Sequence, residues 1–98
     1  MSEPADRRVI ACNYAEGISP VSAGSLCYVL DANRGGGGDR VRLLARSRGG
    51  RWIEKWETRK RLTNFRMKTV PPEHPRYAQL EFAAPESDLP MLLGPIPK

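Results

Sequence analysis

Alternation of apolar and polar side chains is clearest between Asp39 and Glu57. Arg40-Val-Arg-Leu-Leu-Ala-Arg-Ser-Arg48 runs with period two over most of its length, Gly49-Gly50 interrupts it, and Arg51-Trp-Ile-Glu-Lys-Trp-Glu57 resumes. Alternate residues of a strand share a face, so the pattern predicts two strands joined by a tight turn. Gly-Gly suits a two-residue type I′ turn, which needs positive φ at both central positions. That turn sets a register: Arg48 opposite Arg51, Ser47 opposite Trp52, Ala45 opposite Glu54, Leu43 opposite Trp56 and Val41 opposite Thr58. One face then carries Val41, Leu43, Ala45, Trp52 and Trp56 and is expected to be core. The other carries Arg40, Arg42, Leu44, Arg46, Arg48, Arg51, Ile53, Lys55, Glu57 and Arg59, with Arg42 facing Glu57. Glu54 falls on the core face against its charge, which an open rim or a bulge would accommodate.

The flanking segments continue the strand pattern. Val9-Ile10-Ala11-Cys12 predicts a first strand within Arg7 to Tyr14, and the turn-rich stretch Ala15 to Gly24 predicts a long loop. Leu26-Cys27-Tyr28-Val29-Leu30 is a continuous run of strand formers and predicts a buried strand. Gly35 to Gly38 predicts a flexible connection. Over Trp52 to Leu62 a helix competes with the strand, through good helix formers and a Glu57–Arg61 i,i+4 pair. The strand is preferred, because the helical pattern offers only Trp52, Ile53 and Trp56 before turning polar. Leu62 to Val70 alternates again. Pro71-Pro72-Glu73-His74-Pro75 predicts a rigid turn, and Tyr77 to Phe82 a short last strand.

The chain therefore divides into a loose N-terminus (1–6), one small domain (7–82) and a proline-containing tail (83–98) expected to be mobile. The fold class is mainly β, five to six short antiparallel strands in a closed or half-closed barrel. A long loop after the first strand, a tight hairpin and a proline-bearing turn before the last strand resemble an SH3-like barrel. The resemblance is one of architecture, spans Arg7 to Phe82, and carries no signature motif of SH3, Tudor or KOW-bearing ribosomal proteins.

Composition adds polarity to this picture. Ninety-eight residues suffice for one modest core. The formal net charge is +5, but residues 34–68 hold twelve Arg or Lys against three acids, while the rest hold four against eight. Such asymmetry should attract an anionic partner. No secretory pattern follows the N-terminal arginines and no apolar stretch is long enough for a membrane span, so the expected compartment is cytoplasmic. Cys12 and Cys27 lie in apolar runs and are expected to be buried free thiols, with a cross-strand disulfide allowed but not required.

Specific chemistry is sparse. One histidine and two separated cysteines do not make a zinc site, and no cofactor is expected. The glycine run lacks the Lys-Ser/Thr and helix of a phosphate loop. Cys12 or Cys27 with His74 lacks an orienting third group, and Glu54 and Glu57 face opposite sides of one strand, so no enzyme is expected.

The basic hairpin is the strongest candidate. Alternate strand positions lie about 6.6–7 Å apart, near the phosphate spacing of an extended nucleic-acid strand. Arg40, Arg42, Arg46, Arg48, Arg51, Lys55 and Arg59 are the expected phosphate contacts of a non-enzymatic nucleic-acid-binding domain. A solvated, aggregation-resistant face explains the same charges. The alternative partner is a protein or a second copy, sealed around Leu44 and Ile53. A peptide groove built from Tyr14, Tyr28, Trp52 and Tyr77 with Glu16 at its rim is a further form of that alternative, open to the chain's own proline-rich tail.

Overall fold

The computed structural model describes residues 5–32 and 39–93; the Gly35–Gly38 connection and the end of the tail lie outside them. Five antiparallel strands form one sheet in the order β4-β3-β2-β1-β5: β1 Arg7–Tyr14, β2 Leu26–Asp31, β3 Arg40–Arg46, β4 Trp52–Thr58 and β5 Leu62–Val70. The expected long first loop and tight β3–β4 hairpin are both present. The Trp52–Leu62 segment is a strand through Thr58, followed by a single 3-10 turn at Arg59–Arg61. After β5 the chain departs from expectation. Among the described residues no sixth strand follows the proline turn, and Gln79–Phe82 is a 3-10 turn.

Two irregularities curl the sheet. On β5 an extra residue separates the pairs Ala11–Arg66 and Asn13–Thr63, and Asn64 takes φ 62° there. Asparagine tolerates the left-handed region better than most residues, and such a bulge sharpens local twist. On β2 a second bulge at Leu30 separates Val29–Leu43 from Asp31–Arg42. The β1–β2 ladder itself is short, covering Ala11–Tyr28, Cys12–Cys27 and Asn13–Leu26. Beyond it the strands part, and the N–H of Ala84 bonds to the carbonyl of Val29 at 3.2 Å.

Both faces of the sheet are covered. On the inner face residues from all five strands meet in one cluster, including Ile10, Tyr14, Val29, Leu43, Ile53 and Leu62, sealed by Val21 of the long loop and by Leu92. On the outer face Val9, Ala11, Tyr28, Leu30, Leu44 and Val70 pack beneath Tyr77 and Leu80 of the segment that follows β5. Arg7 ties that segment down, donating to the Tyr77 carbonyl with its guanidinium 3.9 Å from the Tyr77 ring centroid. The tail is not loose as far as Leu93. Ala84 and Leu92 are buried and Leu89–Leu93 forms a short helix, α1. This helix is also incompatible with a polyproline segment there.

Candidate nucleic-acid interface

The β3–β4 hairpin differs from the expected one by a single residue of register. Its pairs are Arg46–Trp52, Ala45–Ile53, Leu44–Glu54, Leu43–Lys55, Arg42–Trp56, Val41–Glu57 and Arg40–Thr58. The cause is the turn. Gly50 N–H bonds to the Ser47 carbonyl (2.9 Å), Ser47 N–H bonds to the Arg51 carbonyl (2.7 Å), and only Gly50 of the two glycines has positive φ, 85°. This is a three-residue loop, a type I turn closed by a left-handed glycine, rather than a two-residue type I′ turn. A one-residue slip moves every β4 side chain to the opposite face.

The expected basic face is therefore divided. Arg40, Arg42 and Arg46 lie on the outer face with Trp52, Glu54, Trp56 and Thr58, while Ile53, Lys55 and Glu57 turn inward. Trp56, expected in the core, is 43% exposed beside Arg42, and Trp52 joins the outer cluster, its ring 5.3 Å from that of Tyr28 and 4.8 Å from that of His74. Glu54 needs no open rim. It is exposed, receiving bonds from Arg42 (2.9 Å) and Gln79 (2.6 Å). Leu44 is buried on the outer side and Ile53 packs on the inner, so they form no shared patch.

Lys55 and Arg59 leave the list of free cations. Lys55 Nζ lies 3.6 Å from the buried carboxylate of Glu57 and 5.7 Å from the centre of the Tyr14 ring. Glu57 also accepts from the Tyr14 hydroxyl (3.3 Å) and the Thr58 N–H (2.9 Å), with Arg61 at 3.5 Å. Burial, then the nearby negative charge of Glu57, raises the pKa of Tyr14. Arg59 donates to the Met91 carbonyl at 2.9 Å. Tyr14 is thus committed to the inner face while Tyr28, Trp52 and Tyr77 are on the outer, and Glu16 faces Arg61 at 4.0 Å. The peptide groove predicted from these residues does not assemble.

What remains is a set of exposed arginines, Arg40 and Arg46 at the two ends of β3 and Arg51 at the hairpin turn. Arg40, Arg46 and Arg51 are exposed, and their side chains make no hydrogen bond or ion pair among the described residues. Arg48 is tethered, its N–H to the Pro20 carbonyl (3.0 Å) and its Nε to Ser22 Oγ (3.1 Å), which braces the hairpin tip against the long first loop. Arg76 adds a cation that the sequence alone did not mark, bonding to the Trp52 carbonyl at 3.1 Å. Phe82, 80% exposed, borders a shallow cavity of about 480 Å³ with Leu30, Arg42, Glu54, Ala78 and Gln79. The sequence signal for this arrangement was Glu54, whose misfit on a core face marks the slipped register.

Cys12 and Cys27, register partners on β1 and β2, are buried free thiols, and the pKa of Cys12 is raised by its hydrogen bond to Cys27 and by burial. His74 lies on the outer face and Cys12 and Cys27 in the inner cluster, so they form no nucleophile–base pair. Among the described residues no helix is long and apolar enough to cross a membrane. Comparison with models of known protein families, with curated proteins and with solved structures finds no match.

Proposed function

We propose that this chain is a non-enzymatic binding domain that holds nucleic-acid backbone on the exposed arginines of its β3–β4 hairpin. The observation that carries the proposal is the set Arg40, Arg46 and Arg51, exposed on one hairpin with side chains that form no ion pair among the described residues. The two carboxylates of β4 are both occupied, Glu54 by Arg42 and Gln79, and Glu57 inside. Arginines on a sheet present planar, phosphate-matching forks from a fixed backbone, so only their side chains are left to order on binding.

The test is fluorescence anisotropy with labelled DNA and RNA over a salt series. Each phosphate contact contributes about 0.7 to the log–log salt slope on a single strand, so an Arg40→Glu/Arg46→Glu double variant should lower the slope by about 1.4. Both positions are exposed, so the fold should survive, as circular dichroism would confirm. An unchanged slope, or no binding at low salt, rejects the proposal.

A further inference from the structure

We infer that the partner is an unpaired strand whose bases stack on Trp56 and Phe82; this rests on the backbone-binding reading above and adds what the rings do. Trp56 pairs directly with Arg42 on the outer face, and Phe82 borders the cavity that Arg42 lines. Two large rings thus stand in the neighbourhood of Arg42, one 43% and the other 80% exposed. Phe82 keeps this exposure although Leu80, two residues earlier, is buried against the sheet.

A duplex cannot use these rings, because its base faces are already stacked on one another. Nor is the hairpin a free ribbon that can enter a major groove. β3 is bonded to β2 along its other edge, and Leu44 is buried under the segment after β5. An extended strand meets both constraints. Its phosphates, at roughly the 6.6–7 Å repeat of alternate strand residues, reach Arg40 and, further along the same face of β3, Arg46, and its turned-out bases reach the rings. Every base has a π-face, so stacking of this kind tolerates sequence. The amide that borders the cavity, Gln79, already donates to Glu54, which leaves base-edge discrimination poorly supplied.

The experiment compares four labelled probes of equal length at one salt concentration: single-stranded DNA, single-stranded RNA, duplex DNA, and an abasic phosphodiester strand. Expected is binding of the single strands at least about tenfold tighter than the duplex or the abasic strand, on the order of one stacked base. Trp56→Leu and Phe82→Ser should each erase most of that preference while leaving the salt slope intact, and Trp56→Phe should restore part of it. Quenching of Trp56 fluorescence in a Trp52→Phe background reports the stack directly. Equal binding of all four probes with an arginine-dependent slope overturns the stacking inference and leaves backbone binding standing. Absence of binding to any probe overturns backbone binding itself. A preference for DNA or RNA among the single strands distinguishes the two sources and is compatible with the inference.

Discussion

His74 is the single histidine of the sequence, and its surroundings fix the sign of its pKa shift. The imidazole packs against Trp52 and Tyr28, and Nδ1 accepts the Arg76 N–H at 3.0 Å. Burial lowers its pKa from the ordinary 6.5, so the folded state favours the neutral ring. Stability from this group is complete above the unfolded pKa and is lost as pH falls through the lower folded value. The melting temperature should begin to fall as the pH drops through the ordinary value of about 6.5 and go on falling until the buried ring is protonated. His74→Phe keeps an aromatic ring in place and should flatten that drop. Equal losses in both proteins, measured by scanning fluorimetry, would assign the pH effect elsewhere. Individual side chains were the least legible scale of the sequence. Arg40, Arg42 and Arg46 were placed on one face by β3 alone, as observed. Glu57 was read as an exposed partner of Arg42, yet it is buried among Tyr14, Lys55 and Arg61. Nothing local distinguishes a carboxylate that three strands away meets a tyrosine hydroxyl.

Strand identity was the most legible scale, and the register of a single turn decided how far it carried. β1 to β5 follow from period-two alternation or continuous apolar runs, as does the hairpin between β3 and β4. The turn type does not follow, because Gly-Gly satisfies either loop. The two alternatives predict different glycine chemistry. In a type I′ turn both Gly49 and Gly50 need positive φ; here only Gly50 does, and a Cβ at Gly49 meets nothing within 4 Å. Gly49→Ala should therefore be neutral or stabilising by about 0.4–1 kcal/mol, through a less flexible unfolded chain. Gly50→Ala should cost about 1 kcal/mol or more, because alanine is strained at that φ. Urea unfolding of the two variants reads this out. Similar losses in both would restore the two-residue turn and return Trp56 to the core.

At the scale of the whole molecule the sequence already held a clue that one core was too few. Val9-Ile10-Ala11-Cys12 and Leu26–Leu30 are apolar on both sides of their strands, and a strand with one solvated face alternates instead. The structure resolves this with the segment after β5, whose Tyr77 and Leu80 cover the outer face while Ala84 and Leu92 reach the inner cluster. Its prolines and small residues concealed that role, since no periodicity marks a covering strap. The strap also positions the candidate site, because Gln79 engages Glu54 and Phe82 stands beside Arg42. The two clusters share β1, β2 and β3, so loss of the strap should weaken the whole sheet. Leu80 is 2% exposed, and Leu80→Ala should cost about 2–4 kcal/mol from lost burial and the cavity left behind. Near-ultraviolet circular dichroism follows the Tyr28–Trp52 stack on the outer face, and far-ultraviolet dichroism follows the sheet. Coincident unfolding curves are expected in the wild type and in Leu80→Ala, both shifted together by the substitution. If the near-ultraviolet signal melted first, the strap would be a separate lid over an independently stable sheet, and Phe82 would belong to a movable part of the interface.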